Sequence, residues 1–248
     1  MLSLRKILNF YIQSSIHVGI AVFCLVQLSV PQWSSYSFLV LFGTVVGYNF
    51  LKYSEWFLSN KGLRIHLIGI VSVTSIAAAG FLLLFFKQDV AVQLDLIVAL
   101  GLVVLYPFIR KLGWLKPFFV SGVVSYITVV IPLTSSVDVA WFFAQRFLLL
   151  SSVMIPFEIL DSTTDAVAMK TLPHLFGIAR TKQIGYVLVG LFCIASFHTL
   201  SMLYPYFIYA LTSVVAIYFS SQKRSGYYTS FWVESLPILW WLISMVFQ

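Results

Sequence analysis

The sequence predicts an all-α membrane protein, a bundle of nine transmembrane helices. Of the 248 residues, 60% are hydrophobic and only 9% are charged, and the mean hydropathy is +0.97. A water-soluble domain carries about a quarter charged residues, because its surface must face water. The apolar residues also form runs long enough to cross a bilayer, and most basic residues lie in the short segments between these runs.

Nine apolar runs have the length of membrane-spanning helices, which need roughly 17–25 residues. The first run begins close to Met1, and no small-residue cleavage site follows it. It is therefore predicted to be a retained span and not a signal peptide. Together the runs predict one multi-pass transmembrane domain over residues 1–248. The predicted spans are 8–30, 36–58, 65–86, 91–109, 117–135, 139–160, 183–203, 205–221 and 229–247.

The charged residues between the spans predict how the bundle is oriented. Every second connection is basic, whereas the connections at the opposite end hold only Lys87, beside Asp89, and Asp138. Basic loops stay in the cytoplasm, so the N-terminus is predicted inside and the C-terminus outside. The net charge of +7 is thus a topology signal and does not indicate nucleic-acid binding. The basic residues at the predicted cytoplasmic end are Arg5, Lys6, Lys61, Arg64, Arg110, Lys111, Lys116, Lys170, Arg180, Lys182, Lys223 and Arg224.

Three acidic residues at the end of the sixth span form the strongest polar pattern. On a helix, Glu158, Asp161 and Asp165 follow one another at single turns along one face. Three such carboxylates repel each other unless a cation lies among them, and oxygen ligands favour Mg²⁺, which is often bound together with substrate phosphates. Lys170 and Arg180 are placed to hold further phosphate oxygens. The alternative is a solvated helix end whose acids pair with nearby basic residues, and spacing alone leaves both open.

A second basic segment, residues 106–119, follows the fourth span at the same predicted end. Its cations, among them Arg110 and Lys111, lie at the level where a diphosphate would dock. The alternative is an anchor of the positive-inside type, flanked by Trp114 at the interface.

These segments resemble motifs of the UbiA superfamily of intramembrane prenyltransferases. Asp161 and Asp165 match the second aspartate motif of that family, D-x-x-x-D, and the run Lys-Thr-Leu-Pro at 170–173 with Gly177 also recurs there. Residues 106–111, Tyr-Pro-Phe-Ile-Arg-Lys, resemble the Y-x-x-x-K/R element after the fourth span. The resemblance covers essentially the whole chain and is greatest to short, divergent bacterial members. It implies nine helices in a bacterial cytoplasmic membrane.

The first aspartate motif of the family, N-D-x-x-D-x-x-x-D, is degenerate in this chain. Asn49 is retained, but Phe50, Tyr53 and Phe57 stand at the aspartate positions. In family members this motif coordinates Mg²⁺ bound to the prenyl diphosphate. Its loss removes most of the carboxylate charge of one metal site.

Two charged residues near Asn49 are possible substitutes for the lost aspartates. Lys52 lies one turn from Asn49 and would meet diphosphate charge directly in place of a metal, or Glu55 would supply a carboxylate. The alternative is that Lys52 and Glu55 pair with each other near the interface.

The resemblance implies a prenyltransferase that moves a prenyl group from an allylic prenyl diphosphate to a lipophilic acceptor, which can be aromatic, within the membrane. It implies Mg²⁺ as cofactor and membrane lipid as the surrounding partner. The implied residues are Asn49, Asp161 and Asp165 for catalysis, Glu158, Asp161 and Asp165 for the metal, and Lys52, Arg110, Lys111, Lys170 and Arg180 for the diphosphate.

Two other functions compete with this one. A non-catalytic membrane subunit would keep the UbiA fold, lose one metal site and bind a lipid or a protein partner. A transporter would be expected to show inverted repeats and helices broken at the membrane midplane. The polar clusters here lie at one end of the spans, which disfavours the transporter.

Three ionisable residues, Asp95, Arg146 and Glu234, lie within the predicted spans, and Glu234 is placed near the cytoplasmic start of the ninth span. Asp95 and Arg146 are both placed toward the predicted outer end, and a pair between them is allowed by depth. Ionisable groups at membrane depth are costly and usually face the bundle interior.

Overall fold

The computed structural model describes residues 2–58, 65–134, 136–165, 169–197 and 203–247, and every regular element in these ranges is helical. A 3₁₀ segment, Arg110–Leu115, joins the fifth helix to the sixth. The π-helical turns Tyr126–Val130 and Tyr228–Val233 extend the sixth helix and precede the tenth. The α-helices are α1 (Leu2–Gln13), α2 (Ile16–Ser29), α3 (Ser35–Leu58), α4 (Ile65–Phe85), α5 (Val90–Ile109), α6 (Lys116–Ser125), α7 (Val139–Asp161), α8 (Leu172–Ser196), α9 (Leu203–Phe219) and α10 (Leu236–Phe247).

These helices correspond to the nine predicted spans, and the predicted fold class is confirmed. Within the described ranges, five helical segments are long and apolar enough to cross a membrane, or six if the bent pair α1–α2 is one span. One of the five, Val90–Val130, contains two predicted spans separated by a kink at Leu112 and Gly113. The helix α3 and the shorter apolar helix α9 account for the other two. The protein is therefore a multi-pass membrane protein.

The first predicted span is not one straight helix. The chain bends by 59° between α1 and α2. At the bend Ser15 has a φ of 60°, in the left-handed region that non-glycine residues rarely adopt. The apolar run continues through this point in the sequence, so hydropathy alone predicted one span. A single residue in the left-handed region does not change the hydropathy.

The helix α8 begins at Leu172, eleven residues before the predicted start at 183. Pro173 lies in its first turn, where the missing N–H of proline is tolerated. Gly177 then interrupts the helix with a φ of 77°, so its first turn and the longer remainder meet at a kink. The polar residues at 174–183 had indicated a loop and instead belong to a helix.

Helix contacts close the bundle into a ring. The helices α6, α7, α8, α9 and α10 pack in chain order, α10 contacts α2, and α2 contacts the π-helical turn Tyr126–Val130 that extends α6, which closes the ring; α5 packs on α6, and α3 joins α2 to α4. Gly185 of α8 allows close packing, because a Cβ there would lie 2.9 Å from Ile217 and 3.1 Å from Ile155. Apolar side chains on the outside of the ring face lipid, among them Ile76, Leu83, Leu100, Phe207 and Leu242.

Arg146 of α7 does not pair with Asp95. Its guanidinium donates to the Leu25 carbonyl at 2.7 Å, to Thr128 Oγ1 at 3.3 Å and to Ser29 Oγ at 3.3 Å. Asp95 instead accepts a hydrogen bond of 2.8 Å from the Tyr126 hydroxyl. Arg146 therefore joins α7 to the C-terminal turn of α2, where the carbonyl ends of the helix attract a cation.

Candidate functional site

A cluster of four charged side chains joins α6 to the end of α7. The Lys116 Nζ atom lies 3.2 Å from Glu158 Oε1, 3.0 Å from Asp161 Oδ2 and 3.4 Å from Asp165 Oδ2. We call these four residues the Lys116 cluster. The three acidic residues that the sequence places on one face do come together, and an ammonium group lies among them.

Local helix geometry explains how the carboxylates converge. Glu158 and Asp161 lie one turn apart at the end of α7. After the helix ends, the Asp165 N–H still donates to the Asp161 carbonyl at 2.8 Å, which continues the i, i+4 spacing for one more turn. Lys116 is the first residue of α6 and is followed by Pro117, a residue favoured at helix starts.

The Lys116 cluster is mostly shielded from solvent. The side chains of Lys116, Glu158 and Asp165 are 11%, 2% and 5% exposed, whereas that of Asp161 is 41% exposed. Buried charges are tolerated only when they are paired, so each buried member depends on the others. One Glu158 carboxylate oxygen, Oε2, is buried and accepts no hydrogen bond.

Arg110 brings a second cation to the cluster. Its Nη2 atom lies 3.4 Å from Asp165 Oδ1, and its side chain is about half exposed. Counting formal charges, Arg110 and Lys116 oppose three carboxylates. The site thus has a half-exposed cation, Arg110, at its rim and a buried cation, Lys116, in its interior.

The connection between α5 and α6 packs directly on the connection between α7 and α8. Gly113 has a φ of 25°, and a Cβ there would lie 1.9 Å from the Met169 carbonyl oxygen. Lys170, the next residue, has a φ of 52°. Only glycine allows this approach, which brings the exposed Lys111 and Lys170 onto the same pair of connections. Arg180 lies farther along, on an exposed face of α8.

Asn49 has a different environment, between the α1–α2 bend, α3 and α4. Its Oδ1 atom accepts a hydrogen bond of 2.7 Å from Ser15 Oγ. Its Nδ2 atom donates to the Ser14 carbonyl at 3.0 Å and to Thr74 Oγ1 at 2.8 Å. The described contacts of Asn49 are thus those of a buried packing residue, and its positioning role toward a substrate stays a prediction.

Lys52 lies beside the same bend. Its Nζ atom is 3.5 Å from the Gln13 carbonyl oxygen and 5.6 Å from the centre of the Tyr53 ring. It also interacts electrostatically with Glu234, which precedes α10. The side chain of Glu55, its predicted partner, lies outside the described residues.

A separate basic groove lies where α8 and α9 meet. It has a volume of about 520 Å³ and is lined by Lys182, Lys223 and Arg224 among other residues. Lys182 donates to the Tyr218 carbonyl at 2.8 Å, and Arg224 donates to the Phe219 carbonyl at 3.0 Å. These cations cap the C-terminal end of α9, a favourable position in the field of the helix.

No protein-family model matches the sequence, and no curated protein matches it. A solved structure does match: that of a digeranylgeranylglyceryl phosphate synthase in membranes, a UbiA-superfamily prenyltransferase. The two chains superpose with a TM-score of 0.55 over 98% of this chain and 97% of the other, at 14% sequence identity. The chain has the UbiA-type fold. At this identity the likeness concerns the fold alone.

The two segments that resemble the aspartate motifs have different surroundings. Asp161 and Asp165, which resemble the second motif, belong to the Lys116 cluster. The segment that resembles the first motif lines an apolar crevice of about 230 Å³ between α3 and α4, with Asn49, Phe50 and Tyr53 in its wall. Phe50 is 55% exposed on the outside of the bundle, and the Phe57 side chain lies outside the described residues.

The described arrangement of the carboxylates does not fit a bound Mg²⁺ ion. Mg²⁺ requires oxygen ligands at about 2.0–2.1 Å in octahedral geometry. Lys116 Nζ lies between the three carboxylates, within 3.0–3.4 Å of one oxygen of each. Among the described residues, no group of three His, Cys, Asp or Glu side chains is arranged as a metal site. Mg²⁺ at Glu158, Asp161 and Asp165 stays a prediction that requires Lys116 to move away.

Lys116 is the central residue of the cluster, and sequence reasoning did not select it. It was counted only as a basic residue of a connection. A signal was available, because three acids on one face require a cation. Lys116 is a basic residue at the start of α6, the helix before α7, and the start of α6 is predicted at the same side of the bundle as the end of α7. What sequence did not supply was the contact between α6 and α7.

Proposed function

We propose that this chain is a UbiA-type membrane prenyltransferase, which transfers a prenyl group from an allylic prenyl diphosphate to a lipophilic acceptor. The observation that carries the proposal is the charged Lys116 cluster at one end of a bundle with this fold. Exposed cations lie on the two docked connections that carry it, while apolar helices extend from it into the membrane. This arrangement suits a ligand with an anionic head and a long apolar tail.

The reaction balances as an allylic substitution. The bond between the allylic carbon and the diphosphate oxygen breaks, and its electron pair leaves with the diphosphate. A nucleophilic atom of the acceptor forms the new bond to the allylic carbon, and the acceptor then loses a proton. Negative charge develops on the departing diphosphate, where preorganised cations lower the barrier.

The residues of this chain would act on the head of the donor. Arg110, Lys111 and Lys170 would bind diphosphate oxygens at the rim, as charge-assisted hydrogen-bond donors. The carboxylates Asp161 and Asp165 would hold in place the cation that pairs with the diphosphate, and in this structure they contact the ammonium group of Lys116. Lys52 and Arg180 are not among the described contacts of the cluster and remain proposed secondary contacts.

The first experiment is a transfer assay with membranes containing the protein. Labelled allylic prenyl diphosphates of several chain lengths are added with a lipid extract, once with Mg²⁺ and once with a chelator. We expect a labelled lipophilic product from the wild-type protein. Asp161→Asn should lower its rate by roughly 10²-fold, the scale expected when one group that organises transition-state charge is removed.

Asp138→Asn is the matched control, because Asp138 is an exposed acid at the start of α7, at the opposite end of that helix. It should leave the rate unchanged. Equal losses in both variants would contradict the assignment of the site. Absence of product from folded wild-type protein, with every donor, would favour the second candidate.

The second candidate is a non-catalytic subunit with a UbiA-type fold. A specific observation favours it: Asn49 uses both ends of its amide in packing, and the neighbouring motif positions hold Phe50 and Tyr53. Such a protein would keep the scaffold and bind a lipid or a protein partner. It predicts that Asp161→Asn has no effect on the cellular role of the protein.

A further inference from the structure

We propose that Lys116 is a tethered cation which replaces a divalent metal ion, so that the Lys116 cluster of the native protein does not bind Mg²⁺. The inference concerns the chain's own carboxylates and holds whether or not a prenyl group is transferred.

The geometry gives Lys116 the position that a metal ion would need. Its Nζ atom contacts an oxygen of Glu158, Asp161 and Asp165 at 3.0–3.4 Å, and these residues come from the end of one helix and the turn after it. A metal ion bound by the same oxygens would have to displace the ammonium group. Lys116 is mostly buried, so displacement would take it from three anionic partners without the compensation of full hydration.

The charges of the cluster indicate what would happen without the ammonium group. Glu158 Oε2 is already buried without a hydrogen-bond donor. If Lys116 carried a neutral side chain, three converging carboxylates would face a space from which a cation had been removed. Carboxylate oxygens in that number are ligands that divalent cations prefer. Removal of Lys116 should therefore create metal binding that the native cluster lacks.

The inference has a consequence that rests on the proposed function. A prenyl diphosphate would be bound without Mg²⁺, through Lys116 together with Arg110, Lys111 and Lys170. These four cations exceed the three carboxylates by one charge. Diphosphate binding should then persist in the presence of a chelator.

Mn²⁺ binding tests the inference directly. We would titrate the detergent-purified wild-type protein with Mn²⁺ and follow free Mn²⁺ by electron paramagnetic resonance. The wild-type protein should show no saturable binding, and neither Mn²⁺ nor Mg²⁺ should raise its melting temperature. Lys116→Met should show saturable Mn²⁺ binding that Mg²⁺ displaces, with a rise in melting temperature as expected when a ligand binds only the native state.

Two further variants locate the effect. Lys116→Arg keeps a cation at the position and should remain without Mn²⁺ binding. Adding Asp161→Asn to Lys116→Met should abolish the gained binding, which places the ion at the cluster. Saturable Mn²⁺ binding to the wild-type protein that disappears in Asp161→Asn would overturn the inference, and this outcome does not depend on whether Lys116→Met folds.

A second titration separates this inference from the proposed function. Inorganic pyrophosphate and a non-hydrolysable prenyl thiodiphosphate are titrated with a chelator and with Mg²⁺. Binding in the chelator supports both. Binding only with Mg²⁺ overturns the inference and leaves the proposed function standing. No binding of the prenyl compound to folded protein under either condition defeats the proposed function, and the Mn²⁺ result then decides the inference alone.

Discussion

Asn49 shows how a residue that resembles a position of a family motif can serve a packing function. Its amide joins the left-handed bend at Ser14 and Ser15 to Thr74 of α4 through three hydrogen bonds. In the membrane interior no water is present to replace a lost partner. The bend between α1 and α2 is therefore expected to depend on this side chain.

Replacement of Asn49 by alanine should destabilise the protein. It leaves the Ser14 carbonyl and the Ser15 hydroxyl without their partner, at a cost of about 1–3 kcal/mol for each buried polar group. We expect a clear fall in the melting temperature of the detergent-purified protein. Asn49→Asp should not restore it, because a carboxylate accepts hydrogen bonds but has no N–H to donate to the Ser14 carbonyl.

The control is Phe50→Leu, at the neighbouring lipid-facing position. It exchanges one apolar side chain for another on the outside of the bundle and should leave the melting temperature nearly unchanged. An Asn49→Ala protein as stable as the wild type would contradict the packing role.

At the scale of single residues, sequence predicted which acids converge but not which cation they contact. Glu158, Asp161 and Asp165 follow helical spacing, a local property that can be read from sequence. The pairing of Lys116 with Glu158 joins residues 42 positions apart and depends on how α6 packs on α7. Likewise Asn49 is visible as a motif residue, but its partners at the α1–α2 bend are not.

At the scale of elements, the docking of two connections positions the Lys116 cluster. The 3₁₀ segment that precedes α6 contacts the backbone ahead of α8 at Gly113. The approach is too close for any side chain. A change at this glycine should therefore act on the cluster from a distance.

Gly113→Ala should separate the two connections. Its Cβ would overlap the Met169 carbonyl oxygen, and its backbone would be held at a positive φ, so the cost should exceed about 1 kcal/mol. We expect a lower melting temperature and faster cleavage by added protease at the connection between α7 and α8. Gly190→Ala is the control, since a Cβ there meets nothing within 4 Å.

Alanine at position 190 should keep or raise stability, because alanine is a better helix former than glycine. Equal behaviour of the two variants would show that the connections do not depend on the contact at Gly113.

Helix positions were predicted correctly where apolar runs are long. The predictions were wrong where local backbone geometry determines where a helix bends or begins. The ends of α4 and α5 fall within a residue or so of the predicted spans. The bend at Ser15 and the early start of α8 were missed. The bend depends on Ser15 in the left-handed region, which hydropathy does not detect. The start of α8 was missed because the polar residues at 174–183 had indicated a loop.

At the scale of the whole molecule, the distribution of basic residues predicts the orientation of the bundle. Exposed neutral residues lie at both ends, so labelling sites can be introduced without changing the charge pattern. Val137 is 98% exposed before α7, and Leu112 is 52% exposed between α5 and α6.

Single cysteines at these positions should differ in accessibility. In a background with Cys24 and Cys193 replaced by serine, Val137→Cys should react with a membrane-impermeant thiol reagent applied to intact cells. Leu112→Cys should react only after the cells are permeabilised. The reverse pattern would show that the positive-inside rule fails for this chain.

The helix α9 has a consequence for the thickness of the bilayer beside it. Its outer face carries Tyr204, Phe207, Leu211, Val215 and Tyr218, with a tyrosine at each end. Tyrosine rings lie at the level of the lipid headgroups, and the fourteen helical steps from Tyr204 to Tyr218 rise only about 21 Å. The hydrocarbon layer of a typical bilayer is about 30 Å thick, so we expect the bilayer to be locally thinner beside α9. Thinner membranes should accommodate the protein with less deformation.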